Sequence, residues 1–290
     1  MGDAVGIRAW GRILLVTGRM SLLPTVWSNC LAGWWLGGGG SAGNLALLWL
    51  GTTCLYLGGA FLNDACDAQH DVMFRRARPI PAGEIEQRTV WLISLALLAA
   101  GVFVLAMFGQ TTTVLAFWLV GLIVAFNASH KVFTGWPVLV AIGRLALYMV
   151  AASTATEGVT GLAVWSGLAL AVYVLGVDFL AQSKKSGSAL PFWPTFLFFA
   201  PLLLAWLANG EGYRSVACVL SLLLGLWIFL CLRYSFGAPS RNIGHTINGL
   251  TAGMVLADFL AVGPESLWLG VFFVPFYVAV LVLQRFVPNP

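Results

Sequence analysis

Asn63, Asp64, Asp67 and Asp71 crowd into the eleven-residue run F-L-N-D-A-C-D-A-Q-H-D, residues 61–71, directly after an apolar segment. On a continuing helix, residues three, four and seven apart share a face, so these side chains would form one stripe. Like charges at that spacing repel one another, and something positive should sit among them. Oxygen-only ligands of this kind suit a hard cation such as Mg²⁺, which usually shares its coordination with substrate phosphates. The bland alternative is a solvated helix end carrying a few acids. The chain has only 11 acidic residues in 290, so three aspartates on one face fit chance poorly.

The elements that must position this stripe follow from composition. Hydrophobic residues make up 60% of the chain and charged residues 9%, with a mean hydropathy of +0.90. A soluble domain carries roughly a quarter charged residues. Too few polar side chains exist here to cover a water-facing surface, which predicts a multi-pass membrane protein. Backbone groups in hydrocarbon need internal partners, so the choice is between helix bundles and closed barrels. The apolar segments are about 17 to 22 residues long and do not alternate with period two, so helices are expected. No small-residue cleavage site follows the first apolar segment, and a removable signal peptide is not expected.

The expected spans are 21–37, 45–63, 89–108, 112–128, 136–155, 161–180, 190–208, 215–232, 242–262 and 266–286. The ninth is the weakest, being interrupted by Asn242, His245, Asn248 and Asp258. With a cytoplasmic N-terminus, nearly all Lys and Arg fall in inside segments, and the outside loops hold only Arg214. That bias predicts a multi-pass protein of the cell (inner) membrane with both termini cytoplasmic, and the acidic run at the cytoplasmic end of the second span. Dropping the ninth span would put Arg285 outside, which favours ten spans over nine.

Directly downstream, R-R-A-R-P-I-P-A-G-E-I at 75–85 offers Arg75, Arg76 and Arg78 either as membrane anchors or as phosphate ligands. Pro79 and Pro81 predict a rigid extended loop. The pattern N-D-x-x-D-x-x-x-D at 63–71 followed by R-P-I-P-A-G at 78–83 resembles the UbiA superfamily of intramembrane prenyltransferases. The resemblance covers most of the chain. Arg19 and Trp27 in G-R-M-S-L-L-P-T-V-W match the first helix, and Lys131 matches a lysine after the fourth. It implies one all-α transmembrane domain over 1–290, a polytopic bundle around a central cavity. It also implies Mg²⁺-dependent transfer of a prenyl group from a prenyl diphosphate to an aromatic or related small-molecule acceptor, in contact with membrane lipid. Asn63, Asp64 and Asp67 would then hold the first Mg²⁺–diphosphate, with Asp71 supporting.

Members of that superfamily carry a second acidic motif, D-x-x-x-D, after the sixth helix. Here Y-V-L-G-V-D-F-L-A-Q-S-K-K-S-G at 173–187 keeps Asp178, but Gln182 stands at the second acid position, with Lys184 and Lys185 beyond it. A neutral amide is a weaker Mg²⁺ ligand, and the lysines are candidate phosphate grips in compensation. This altered motif, with A-I-G-R-L-A-L-Y at 141–148, most resembles the branch called EboC-like. It also supports the rival reading of a non-catalytic prenyl-lipid carrier that keeps the fold.

Arg144 lies within the fifth span, where a mid-membrane arginine costs roughly 2.5–3.5 kcal/mol on insertion scales. It should face the bundle interior, paired with Asp178 or the first acidic run, or binding a diphosphate or an acidic acceptor. Tyr148, four residues on, shares that face and is a candidate for the acceptor site. Asp258 is expected to hydrogen-bond within the bundle. Gly37–Gly40 read as a flexible external turn, since no G-K-[ST] follows. Asn127-Ala-Ser129 fits a glycosylation triplet without apparent meaning at the cytoplasmic end of a span. The five scattered cysteines include no C-x-x-C pair, the histidines lack an acidic cluster, and no basic stripe points to nucleic acid.

Overall fold

The structure is a computed structural model that describes residues 17–76, 78–129, 134–186, 190–208, 210, 212, 214–236 and 242–286. It is built from α-helices and short 3-10 turns among the described residues. Helix α1, Leu23–Leu36, begins with a proline in its first turn, where a missing N–H costs nothing, and stops at Gly37. Only Trp27 and Trp35 of its residues are not buried, as befits a helix surrounded by others. It packs on α2 (Ala42–Phe74), α5 (Trp136–Ser153), α9 (Ile243–Val262) and α10 (Gly270–Phe286).

Between these elements run α3 (Gln87–Ala106), α4 (Gln110–Ser129), α6 (Gly161–Ser186), α7 (Ala200–Ala208) and α8 (Arg214–Phe236). All ten expected segments are helical, and among the described residues eight helices are long and apolar enough to cross a membrane. The exceptions are α1 and the seventh segment. In the latter, Trp193–Phe199 winds as a 3-10 turn with Pro194 in its first turn, and the short α7 follows with Pro201 in its own. The ninth segment, weakest in sequence, is the most buried of the eight spans. Its polar residues Thr246, Thr251 and Asp258 are buried inside the bundle.

Two sequence expectations about loops fail for the same reason, unspent hydrogen bonds. The Gly37–Gly40 turn is stitched to the α5–α6 connection rather than free. The N–H of Thr156 donates to the Gly39 carbonyl at 3.0 Å and that of Glu157 to Gly37 at 2.8 Å. The Thr156 and Thr160 hydroxyls donate to the carbonyls of Gly38 and Leu36 at 2.9 and 2.7 Å. The 78–84 loop, expected to be extended, is folded on itself. The N–H groups of Ala82 and Glu84 donate back to Arg78 and Pro79, both at 2.9 Å, and Gly83 turns with φ +74°.

Gly33 and Gly37, one helical turn apart, let α1 approach α5 closely. A Cβ at either position would come within 2.7 Å of a backbone carbonyl oxygen, that of Tyr148 or Ala152. Backbone atoms cannot step aside, so Gly33→Val should lower stability by about 1–3 kcal/mol, the usual scale of overpacking. The check is the thermal midpoint in detergent, and a wild-type midpoint would show that the crossing opens freely.

Candidate active site

At 33 residues, α2 is about 50 Å long, whereas a bilayer's hydrocarbon layer needs only about 20 residues of helix. Its last turns therefore extend beyond the apolar zone, and these turns carry the acidic stripe. Asn63, Asp64 and Asp71 are buried, Asp67 is half-buried, and Gln69 and His70 are exposed. The stripe faces the protein.

Two arginines from outside α2 converge on it. Arg78 folds back from the loop, placing Nη1 3.1 Å from Asp64 Oδ1 and 2.8 Å from Asp71 Oδ2. Arg19 donates from Nη2 to Asn63 Oδ1 and lies 3.7 Å from Asp64 Oδ1. Arg19 is the one described non-glycine residue with positive φ, 45°, a conformation that costs roughly 1–2 kcal/mol. The Tyr56 hydroxyl holds it there by donating to its carbonyl at 2.8 Å. Asn63 completes the group by donating Nδ2–H to Asn127 Oδ1 at 3.0 Å. Arg75 and Arg76 stay on the surface, so of the three neighbouring arginines only Arg78 joins the stripe.

Arg19 and Asn63 also line one end of a cavity of about 350 Å³ between α1, α2, α4, α5, α6 and α9. Its walls are mostly aliphatic, with Tyr56, Phe126 and Trp136 among them, and the half-buried Arg144 and Asp178 add charge to them. Arg144 shares this cavity with the expected Asp178, and its hydrogen bonds go to an amide and a hydroxyl of α1. Nη1 donates to Asn29 Oδ1 at 2.7 Å and Nη2 to Thr25 Oγ1 at 3.1 Å.

Several expected site residues lie elsewhere. Gln182 and Lys184 are outside the cavity lining. The Gln182 amide donates to the Thr134 carbonyl at 2.6 Å, tying α6 to the start of α5. The Lys184 side chain is exposed and lies against Gly244, in the first turn of α9. Tyr148 leaves the Arg144 cavity altogether, because α1 and α5 cross so closely there. Fully buried, it lines a separate pocket of about 40 Å³ with Ser166 and Asp258. Lys131 and the Lys185 side chain lie outside the described residues.

Thr25, Asn29 and Asn127 belong to the cavity region but were not singled out by sequence. A buried amide in an apolar span was the available signal; in Asn127 the glycosylation pattern obscured it.

Among the described residues, no three His, Cys, Asp or Glu side chains form a metal cage. Asp64 and Asp71 have arginine between them instead. Such a donor set, carboxylate and amide oxygens with fixed cations alongside, fits Mg²⁺ that completes its coordination with phosphate oxygens.

The UbiA prenyltransferase family matches residues 21–235, well over half of the chain. No curated protein sequence gives a significant match. Among solved structures, one of digeranylgeranylglyceryl phosphate synthase superposes with a TM-score of 0.63 at 13% identity, over 95% of this chain and all (100%) of that one. A UbiA homologue from Archaeoglobus fulgidus bound to GPP and Mg²⁺ gives 0.60 at 15% identity, over 94% and 99% of the two chains. An apo UbiA homologue from Aeropyrum pernix K1 gives 0.50 at 16% identity, over 91% and 94%. At such identities the likeness is one of fold, and it extends through the C-terminal helices that the family match leaves out. The chain belongs to the UbiA prenyltransferase family, as an all-helical, multi-pass integral membrane protein.

Proposed function

We propose that this protein transfers a prenyl group from a prenyl diphosphate to an aromatic or other small-molecule acceptor within the membrane, using Mg²⁺. The observation that carries this reading is one continuous site, with the acidic stripe and its arginines at one end and a mostly aliphatic wall beyond, in which Arg144 and Asp178 are the charged exceptions. Arg19 and Asn63 line the cavity, and Asp64, Arg78 and Asp71 sit immediately behind them.

As the allylic C–O bond breaks, negative charge grows on the diphosphate and positive charge spreads over the prenyl carbons. Arg19 and Arg78 are fixed cations for the leaving oxygens, effective because little reorganisation is needed when charge develops. Asn63, Asp64 and Asp67 would hold Mg²⁺ with the diphosphate, supported by Asp71, while Asp178 serves a second group of ligands from α6. When bound, Mg²⁺ neutralises the leaving group as a Lewis acid. Tyr56, Phe126 and Trp136 exclude water from the prenyl carbons and offer aromatic faces to the cation.

The test incubates the reconstituted protein with labelled geranyl diphosphate, Mg²⁺ and a membrane lipid extract. Labelled product supports the enzyme. Tight, saturable binding without product would favour the carrier reading, which the loss of a second-motif acid at Gln182 makes specific.

The Lys and Arg distribution supports cytoplasmic termini and a cytoplasmic charged end. In a background lacking the five native cysteines, Gly212→Cys should react with an impermeant thiol reagent added outside, and Ser186→Cys should not. The reverse pattern would invert the orientation.

A further inference from the structure

Asp258 is a carboxylate at 1% exposure inside α9, and the prenyl-transfer reading gives it no role. Its Oδ2 accepts from the Ser28 hydroxyl and, at 2.7 Å, from Asn29 Nδ2. The other end of the Asn29 amide, Oδ1, accepts from Arg144 Nη1 at 2.7 Å. One asparagine thus stands between a buried acid and a half-buried arginine.

An amide side chain has a donor end and an acceptor end of nearly the same shape, so packing alone selects poorly between its two orientations. Asp258 selects. A carboxylate accepts only the NH2 end, which leaves the oxygen facing α5. Turned the other way, Asn29 would aim N–H groups at a guanidinium that has no acceptor. Chains of this type also polarise, so the carboxylate makes the Asn29 oxygen a stronger acceptor. Arg144 spends two donors on Asn29 and Thr25, and guanidinium has about five N–H groups. The remainder are left for the cavity that Arg144 lines.

Depth identifies what those donors meet. Asn63 and Thr52 both line the cavity, eleven residues and about 16 Å apart along α2. The neighbour of Asn29, Cys30, touches Thr52 at 3.4 Å. Asn29 is therefore level with Thr52, deeper than the Asn63 end, and it is there that it meets Arg144 Nη1. A cation with open donors does not suit a hydrocarbon tail; it suits an oxygen-bearing acceptor.

We propose that Asp258 is a positioning residue, orienting Asn29 so that Arg144 is held toward the acceptor's oxygen. This rests on the prenyl-transfer reading, and the test has one arm that does not. Three proteins are compared: wild type, Asp258→Ala, and the swap Asn29→Asp with Asp258→Asn. The swap returns an acceptor to Arg144 and a donor to that acceptor, with the charge moved one place along the chain.

In the first arm, arginine side-chain ¹⁵N–¹H spectra are recorded in detergent, with the Arg144 resonance assigned by its loss in Arg144→Lys. It should shift and broaden in Asp258→Ala and recover in the swap. In the second, the extract concentration giving half-maximal transfer should rise about tenfold or more in Asp258→Ala, the scale of one lost hydrogen bond to a charge. The half-saturating geranyl diphosphate concentration should stay put, and the swap should regain most of the loss. An unchanged Arg144 resonance in folded Asp258→Ala, or a folded swap that fails to recover it, would overturn the proposal. So would equal losses for diphosphate and extract, which mark a merely structural carboxylate. If the wild type transfers nothing, the function reading fails alone and the spectra still decide.

Discussion

Asp64→Ala should abolish Mg²⁺-dependent binding of geranyl diphosphate while leaving a folded, extractable protein. In the wild type, chelating the metal should weaken binding to the level of the variant, and the variant itself should ignore chelation. Asp64 is the acid at which both arginines meet, Arg78 at 3.1 Å and Arg19 at 3.7 Å. It is also next to Asn63, which lines the cavity. Loss of this carboxylate removes the ligand best placed to share a metal with a diphosphate lying along that end. Changes at or beside a metal site commonly cost about 10–100-fold in affinity, and a direct ligand should cost at least the upper figure. The fold should survive, because Arg78 keeps Asp71 at 2.8 Å. Asp67→Ala should weaken binding in the same direction from the half-buried side of the stripe. Calorimetric titration with and without chelator is the measurement. Binding that stays metal-dependent and tight in both variants would reduce the stripe to a solvated helix end.

The stripe was legible in sequence because one helix's periodicity fixes which of its residues share a face. Asn63, Asp64, Asp67 and Asp71 needed nothing more. Periodicity says nothing about what arrives from elsewhere in the chain. That Arg78 turns in while Arg75 and Arg76 stay out depends on hydrogen bonds within the 78–84 loop, where Pro79 and Pro81 leave few donors and those present fold back. Arg144 was recognised as inward-facing from its cost in a membrane, and the expected Asp178 does share its cavity, but its hydrogen-bond partners lie more than a hundred residues away in α1, where periodicity cannot reach. Tyr148 illustrates the limit of face-sharing. It does follow Arg144 by one turn, yet the close approach at Gly33 closes the cavity before reaching it. Gln182 was read by analogy with an acid it replaces, whereas an amide N–H is also a donor, and the structure uses it on Thr134.

The arginine between the acids gives the second large effect. In Arg78→Met, Asp64 and Asp71 keep their burial but lose the cation they share, and Met fills similar volume without charge. Breaking a buried pair by removing one partner typically costs about 3–5 kcal/mol. The Arg78 side chain is 16% exposed, so water screens part of that and the lower end applies. The thermal midpoint in chelator should therefore fall well below wild type. Millimolar Mg²⁺ should raise it again in the variant alone, because Asp71 and Asp64, the latter left with Arg19 only, now offer hard oxygens that Arg78 formerly occupied. Diphosphate affinity, by contrast, should not return with the metal. Restoring the charge balance of the acids does not restore a fixed donor for the leaving oxygens, and one such group is commonly worth about 10²-fold or more in rate. Stability rescued by Mg²⁺ with transfer still lost would separate the two tasks of Arg78. Full transfer activity in the metal-rescued variant would show instead that Arg78 only neutralises the stripe, leaving Arg19 to face the diphosphate alone.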